Sequence, residues 1–253
     1  MTHQESVDNS KKFLTELFFP SFCLGCNKEG AFLCQDCRSL LEILEYNYCL
    51  CSQNPLLVST SKSTGKCNRC QDKRLSGLYF ALPYKEKALT RKLIHQFKYE
   101  PHLKCLAKTL ASIIIEHLVL AKKNTNDIWE NSVLIPVPMD KKKLRERGYN
   151  QSEELAKELS VILKVPVLTD CLIKIKHTAP QMELSKQERE NNLKDAFDIK
   201  NSTIDGSMVL KGKKVFLVDD VYTSGCTMEE CTKKLRQAGA KQVWGICIAR
   251  ESW

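Results

Sequence analysis

Two adjacent carboxylates, Asp219 and Asp220, follow a short apolar run and precede a turn of small hydroxyl residues. The run at residues 215–218 is Val-Phe-Leu-Val, which predicts a buried strand with the acid pair at its carboxyl end. An ionised carboxylate only accepts hydrogen bonds, so two side by side match a ligand whose neighbouring hydroxyl groups each donate one. The acid pair therefore predicts a sugar with vicinal hydroxyls.

The turn after the acid pair, residues 223–227, has the composition of an anion-binding loop. A helix is predicted to begin here, with Thr227 and Glu230 in capping-box spacing and Gly239 at its end. Backbone N–H groups at the start of a helix attract an anion, and Gly225 lets the backbone approach it closely. The residues predicted to bind a phosphate are Thr223, Ser224, Gly225, Cys226 and Thr227.

A strand that ends in acids is also typical of the Walker B element of nucleotide-driven motors. That element needs the partner motif G-x-x-x-x-G-K-[ST], and no glycine in this chain begins one. A plainer alternative is a buried strand that ends at a solvated acid pair beside an ordinary helix cap. We favour the sugar phosphate because all of its parts occur in the required order.

Eight of the thirteen cysteines are crowded between positions 23 and 70. A C-x2-C turn directs two thiolates at one tetrahedral ion, and two such turns complete a closed site, so the spacing predicts one or two structural zinc ions. The second site is the weaker prediction because it contains a C-x-C pair. Nearest neighbours give one set of Cys23, Cys26, Cys34 and Cys37 and another of Cys49, Cys51, Cys67 and Cys70.

Spacing does not fix how the cysteines pair, and eight reduced, unliganded thiols are the alternative to zinc. A redox-active pair is disfavoured because such C-x-x-C motifs open a helix in a βαβ setting. No secretory signal is recognisable near the amino terminus, and no apolar run approaches the length of a membrane span. We therefore expect a cytoplasmic protein, where paired cysteines bind metal more often than they form disulfides.

Basic residues give the chain a formal net charge of +9 and concentrate in two stretches. Residues 139–149 are predicted to form a loop at the end of a buried strand, where arginines could grip a pyrophosphate bidentately. Residues 85–104 interleave lysines with Phe97 and Tyr99, which fits either a nucleic-acid face or an ordinary solvated face. The basic residues of the first stretch are Lys141, Lys142, Lys143, Arg145 and Arg147.

Strands alternate with helices over the second part of the chain. This alternation predicts an α/β fold with a mainly parallel sheet and flanking helices. We predict two domains, a cysteine module with a leading helix at residues 1–76 and the sheet domain at residues 77–253. The predicted strands are residues 77–84, 133–138, 172–175, 215–218 and 243–249, and the predicted helices include residues 86–98 and 102–120 and one that begins at Asn150.

Residues 215–227 resemble the signature of type I phosphoribosyltransferases, which bind 5-phosphoribosyl-1-pyrophosphate (PRPP). Further motifs, together with the cysteine module, resemble the ComF family of competence-associated, phosphoribosyltransferase-like proteins over nearly the whole chain. The spacing Cys49-x-Cys51 departs from the usual C-x2-C of that family. The motifs are Phe97-Lys98-Tyr99, Ile135-Pro136-Val137-Pro138, Arg145, Arg147-Gly148-Tyr149-Asn150-Gln151, Gln181, Arg189 with Asn192, and Ala196-Phe197.

The resemblance implies a type I phosphoribosyltransferase-like fold with a small zinc-ribbon-like module. It implies that the acid pair binds the ribose 2′ and 3′ hydroxyls and that residues 223–227 surround the 5′-phosphate. It also implies Mg²⁺ bound with PRPP and basic side chains on the pyrophosphate. The polar, glycine-free composition of residues 177–194 separately predicts a flap. The residues expected to act on the ligand are Asp219, Asp220, Arg145, Arg147 and Arg189.

Two functional classes stay open at this point. As an enzyme, the protein would transfer phosphoribose to an acceptor that the sequence does not identify. As a non-catalytic adaptor, it would keep the PRPP pocket for sensing or docking while its basic helices and cysteine module hold single-stranded DNA or a helicase. The resemblance links either class to the import of single-stranded DNA during natural transformation.

Overall fold

The computed structural model describes residues 20–51, 54–58, 64–85, 88–99, 103–123, 126–176, 188, 192–200 and 210–251. The chain divides into two compact units, Met1–Leu41 and Glu42–Trp253. In the smaller unit, helix α1 (Gln35–Ser39) follows an isolated antiparallel bridge between Phe22 and Glu29. The leading helix expected before Pro20 lies outside the described residues.

The larger unit alternates strands with helices, as the sequence predicts. Its elements begin with a 3₁₀ turn (Asn68–Cys70) and continue as β1 (Gly77–Pro83), α2 (Leu89–Lys98), α3 (Leu106–Leu120), α4 (Asn126–Trp129), β2 (Ser132–Pro136), α5 (Lys141–Arg147), α6 (Gln151–Leu163), β3 (Leu172–Lys174), β4 (Phe197–Ile199), β5 (Lys214–Tyr222), α7 (Cys226–Gln237) and β6 (Gln242–Arg250).

The four longest strands form one parallel sheet in the order β1, β6, β5, β2. Parallel sheets are covered on both faces, and all seven residues of β1 are accordingly buried. Helices α3 and α6 pack against each other and against strands of this sheet. The predicted α/β class with a mainly parallel sheet and flanking helices is confirmed.

Three predicted elements differ from the structure. The strand that begins near Val215 continues through the acid pair to Tyr222, because β6 pairs with it along that whole length. The segment predicted as a basic loop forms α5, whose first turn is capped by Asp140 accepting the Lys142 N–H at 2.9 Å. The strand predicted at residues 172–175 pairs antiparallel with β4 instead of joining the parallel sheet.

The second cysteine segment packs into the core of the larger unit. Leu50 and Leu75 are almost fully buried in the same hydrophobic cluster as Phe80 and Leu217. This segment therefore contributes apolar side chains to the hydrophobic core as well as thiols. The domain boundary predicted between residues 76 and 77 stays a prediction.

Arg250, at the end of β6, ties this segment to the sheet. Its guanidinium donates to the carbonyl of Cys49 at 2.7 Å and also to the carbonyl of Cys51. The side chain is fully buried, with its Cζ 5.4 Å from the ring centre of Phe80 and 5.5 Å from that of Tyr222. Burial lowers the pKa of Arg250, but two carbonyls and two aromatic faces receive the charge.

No helix in the part of the chain that the structure describes is both long enough and apolar enough to cross a membrane.

Replacing Arg250 with methionine should destabilise the larger unit because two buried carbonyls lose their donor. We expect a loss of about 2–4 kcal/mol, seen as a lower urea midpoint by tryptophan fluorescence. Arg145→Met removes an exposed arginine and should change the free energy of unfolding by less than about 0.5 kcal/mol. Equal stability of Arg250→Met and the unmodified protein would contradict the anchoring role.

Candidate functional site

The acid pair lies where β5 loses one of its two neighbours. Strand β2 ends its pairing with β5 at Pro136. In a continued parallel ladder the Val137 carbonyl would accept the Asp220 N–H, but it accepts the side-chain amide of Asn150 at 3.0 Å. The Asp220 N–H donates to Asp219 Oδ1 at 2.9 Å. The edge of β5 is therefore free of β2 at the acid pair.

Two side chains from other elements contact the acid pair. Ser152, in the first turn of α6, donates from Oγ to Asp219 Oδ1 at 2.9 Å. Lys98, the last residue of α2, lies with Nζ 2.7 Å from Asp220 Oδ1. The acceptor positions that a sugar would use are thus partly filled by the protein's own donors.

The pKa values of Asp219 and Lys98 are both shifted by their surroundings. Burial and the neighbouring Asp220 raise the pKa of Asp219 to about 7, while Lys98 acts in the opposite direction. Burial acts against the charge of Lys98, but Asp220 outweighs it and raises the pKa of the lysine. Lys98 therefore keeps its positive charge beside the acid pair, and Asp219 is the carboxylate whose ionisation burial disfavours.

Two of the family-like motifs meet behind Lys98. The Phe97 carbonyl accepts Tyr149 Oη at 2.7 Å and Gln151 Nε2 at 3.1 Å, and both contacts are buried. Between these two donors, Asn150 caps α6 by accepting the Ser152 N–H at 3.1 Å. The turn between α5 and α6 thus fixes the backbone at Phe97, and with it the position of the Lys98 Cα.

Sequence analysis did not assign Lys98 or Ser152 to the site. Lys98 occurs in the motif Phe97-Lys98-Tyr99, and that motif was the available signal. Ser152 has no comparable signal, because its role depends on where the first turn of α6 meets β5.

The predicted arginines differ in their surroundings. Arg147 lies over the ring of Tyr99, the residue after Lys98, with Cζ 5.6 Å from the ring centre. Arg145 is exposed on the same helix, where its Nε donates to the Lys141 carbonyl at 3.4 Å. Arg189 lies outside the described residues, as do Gln181 and most of the predicted flap at residues 177–194.

The loop at residues 223–227 joins β5 to α7. Helix α7 begins at Cys226 with Gly225 as its N-cap, so the predicted cap at Thr227 is wrong by two positions. Gly225 has a φ of +82°, which leads the backbone directly into the helix and leaves no side chain over its first turn. Ser224 Oγ contacts Cys226 Sγ at 3.0 Å. The five predicted phosphate-binding residues stand together at this helix start.

Tyr222 explains a second constraint on Gly225. A Cβ at Gly225 would lie 2.2 Å from the Tyr222 hydroxyl. That hydroxyl is buried and has no hydrogen-bond partner among the described residues. The ring also supports Arg250, so the loop and the buried arginine share one aromatic side chain.

The first set of cysteines converges in the smaller unit. The Sγ atoms of Cys23, Cys26, Cys34 and Cys37 all lie within 4.8 Å of one another. Burial acts against ionisation of Cys23, but backbone N–H groups, led by that of Cys34, outweigh it and lower its pKa to about 6. Burial raises the pKa of Cys37 to about 12. The backbone therefore favours the thiolate form of Cys23, whereas burial disfavours that of Cys37.

The second set converges equally well, despite its C-x-C spacing. The Sγ atoms of Cys49, Cys51, Cys67 and Cys70 lie within 4.8 Å of one another. Leu50, between Cys49 and Cys51, is buried with Cys49 in the hydrophobic core, and Cys51 packs against the same cluster. The 3₁₀ turn completes the set, with the Cys67 N–H donating to Cys70 Sγ at 3.3 Å.

Both clusters fit a tetrahedral ion. Zinc–sulfur bonds of about 2.3 Å place the sulfurs roughly 3.8 Å apart. The observed separations are 3.6 Å for Cys26–Cys34, 3.5 Å for Cys51–Cys67 and 3.8 Å for Cys67–Cys70. Four soft thiols at this spacing form a closed site of the structural kind.

The second cluster is also tied to α7. Glu229, in the first turn of α7, accepts the Arg74 N–H at 2.7 Å and the Leu75 N–H at 3.4 Å. A cavity of about 420 Å³ lies beside this contact, lined by Arg69, Cys70, Leu193 and Cys226 among others. The lining does not include the acid pair, but it shares Cys226 with the residues predicted to bind a phosphate.

Comparison with known proteins gives a match over most of the larger unit. A family model described as phosphoribosyl transferase domain matches residues 106–251. Competence protein F of Haemophilus influenzae is 36% identical over 159 residues, which make up 62% of this chain and 67% of that protein. DNA utilization protein YhgH of Salmonella typhimurium is 29% identical over 157 residues, or 61% and 65% of the two chains. These two alignments span about two thirds of each relative's own length.

A third relative covers nearly the whole chain. Competence protein ComFC of Streptococcus pneumoniae is 27% identical over 238 residues, or 93% of this chain and 95% of that protein. Among solved structures, the glutamine phosphoribosylpyrophosphate amidotransferase of B. subtilis matches 56% of this chain and 25% of its own, with 23% identity and a TM-score of 0.32.

The double constraint on Gly225 can be separated by substitution. Gly225→Ala should lower the thermal midpoint more than Gly212→Ala, because Gly212 has a φ of +74° but nothing within 4 Å of the added Cβ. Strain alone costs about 1–2 kcal/mol, and the clash with Tyr222 adds to it. Adding Tyr222→Leu to Gly225→Ala should recover part of the loss. Equal midpoints for the two alanine variants would contradict the packing of Tyr222 on the loop.

Proposed function

This chain belongs to the ComF family of phosphoribosyltransferase-like proteins, and from that membership we propose that its larger unit binds PRPP. In this proposal Asp219 and Asp220 accept hydrogen bonds from the ribose 2′ and 3′ hydroxyls, and residues 223–227 bind the 5′-phosphate. The observation that carries it is the open edge of β5, where a paired carboxylate and a helix start lie within one continuous segment. That combination suits a phosphorylated sugar better than either group alone.

The pyrophosphate of PRPP needs cations, and the proposal assigns them to Arg145 and Arg147. Arg147 is supported by its position over Tyr99, next to Lys98. Arg145 is supported by its exposure on the same helix, and Arg189 is retained from the sequence analysis alone. Mg²⁺ is proposed to arrive with PRPP and to supply charge neutralisation of the pyrophosphate when bound.

The reaction open to such a site is displacement at C1 of the ribose. The bond between C1 and the pyrophosphate oxygen breaks, the pyrophosphate leaves with the electron pair, and a nitrogen nucleophile forms a new bond to C1 and releases its proton. The chain's own residues would orient the ribose through the acid pair and hold the departing anion. The acceptor is left open, because none of the described contacts reads a nucleobase.

The biological setting follows from the relatives. Proteins named for competence and for DNA utilization align with this chain over its phosphoribosyltransferase-like part. We propose that it acts in uptake of single-stranded DNA, in the cytoplasm, where thiols stay reduced.

A second candidate is the non-catalytic adaptor, and the exposed helix α5 favours it. None of its residues is buried, and Lys141, Lys142, Lys143 and Arg145 face solvent. Such a face suits a phosphate backbone and would give DNA binding that weakens steeply with salt. A helicase of the uptake machinery stays a predicted partner in this candidate.

Removing the acid pair should abolish PRPP binding. Calorimetric titration of PRPP with Mg²⁺ should show saturable binding to the metal-loaded protein and at least about 100-fold weaker binding to Asp219→Asn/Asp220→Asn, since each lost charged hydrogen bond contributes about 1.5–3 kcal/mol. Asp170→Asn, at a carboxylate with 83% side-chain exposure, is the matched control and should bind normally. The absence of heat with unmodified protein would reject the PRPP site in both candidates and leave only the binding of DNA or a protein partner.

Zinc content tests the two thiol clusters. Native mass spectrometry should find two zinc ions per chain, because both sets have tetrahedral spacing. Cys51→Ser should retain one ion, whereas Cys105→Ser changes an exposed cysteine outside both sets and should retain two. One ion in the unmodified protein would restrict the zinc proposal to a single cluster.

A further inference from the structure

Lys98 places an ammonium group directly against the acid pair. Its Nζ lies 2.7 Å from Asp220 Oδ1, and 24% of the lysine side chain and 12% of the aspartate side chain are exposed. In the proposed PRPP site the acid pair binds the 2′ and 3′ hydroxyls, and C1 is the carbon next to C2. With Asp220 on the 2′ hydroxyl, the ammonium beside it would lie close to a pyrophosphate on C1.

Hydrogen bonds hold the backbone next to Lys98, while the lysine side chain is partly exposed. The Phe97 carbonyl accepts two buried hydrogen bonds, from Tyr149 and Gln151. The Tyr99 N–H closes the end of α2 on the His95 carbonyl at 2.8 Å. A lysine side chain has a flexible four-carbon stem beyond its Cα, so the ammonium of Lys98 can change partner without moving α2.

Binding of PRPP would place a second anionic group beside Lys98. Without ligand, its charge is balanced by Asp220, and a single carboxylate has room for further donors. A pyrophosphate brings more negative charge than Asp220, together with several acceptor oxygens, into the same small region. Because Asp220 then accepts a ribose hydroxyl, the ammonium can move to the stronger anion without leaving the carboxylate unpaired.

We propose that Lys98 is the residue by which this site distinguishes ribose carrying a pyrophosphate on C1 from ribose 5-phosphate. It pairs with Asp220 when C1 carries a hydroxyl and contacts the pyrophosphate when PRPP is bound. During transfer it stabilises the departing pyrophosphate, and it returns to Asp220 once that group has left. This role rests on the proposed PRPP site and adds to it a determinant that selects the substrate.

The test compares two ligands that differ only at C1. PRPP and ribose 5-phosphate are each titrated, with Mg²⁺, into the metal-loaded full chain and its Lys98→Met variant. Lys98→Met should weaken PRPP binding by about 10- to 100-fold, as expected for one lost charged contact. It should change the affinity for ribose 5-phosphate by less than about threefold. The ratio of the two affinities is the decisive readout.

Lys104→Met is the matched control, because it removes a lysine that contacts Glu154 at 3.2 Å with 59% of its side chain exposed. It should leave the affinity ratio unchanged. If Lys98 only holds Asp220 in place, Lys98→Met will weaken both ligands equally, and this result would overturn the proposal. If the unmodified protein binds neither ligand, the PRPP site itself has failed, which is a different result.

A second variant decides the matter if Lys98→Met does not fold. Lys98→Gln keeps a hydrogen-bond donor for Asp220 but removes the positive charge that a pyrophosphate would attract. The affinity ratio should fall at least about threefold in this variant. An unchanged ratio in correctly folded Lys98→Gln would show that the cation at this position does not select for the pyrophosphate.

Discussion

The end of the ladder between β2 and β5 is the constraint on which the site depends. At Val137 the carbonyl that would continue the ladder binds the Asn150 side chain, and the freed Asp220 N–H binds Asp219. The same asparagine begins α6, which brings Ser152 to the acid pair. One exchange of hydrogen bonds thus opens the sheet edge, orients a carboxylate and fixes a helix. The cost of leaving backbone groups unpaired is avoided because each freed group finds a new partner.

Behind this edge, side chains from the α5–α6 turn hold the carboxyl end of α2. Tyr149 and Gln151 converge on a single backbone carbonyl, and Arg147 stacks on the residue after Lys98. Residues some fifty positions apart in the chain therefore act as one unit. The carboxyl end of α2 is thus held by two buried hydrogen bonds, and Lys98 extends from it to the acid pair.

The second thiol cluster belongs physically to the sheet unit. Arg250 binds two carbonyls of its C-x-C turn, and Tyr222 lies between that arginine and Gly225 in the loop after β5. Glu229 makes a further connection from α7 to the backbone after Cys70. These contacts join the thiol cluster to the segment that carries the residues proposed to bind a phosphate.

The sequence alone determined the features that depend on local pattern. Apolar runs, cysteine spacing and the acid pair with its glycine loop predicted the strands, the thiol sets and the candidate ligand, because each is set by neighbours in the chain. The ends of elements were less predictable, as α5 and the start of α7 show. Only the tertiary structure decided that Lys98 and Ser152 contact the acid pair and that the C-x-C turn completes a cluster of four cysteines. It also decided that Arg250 is buried against the carbonyls of that turn. These contacts join segments that are distant in the chain, and the type of a residue does not determine which carbonyl or carboxylate its side chain will bind.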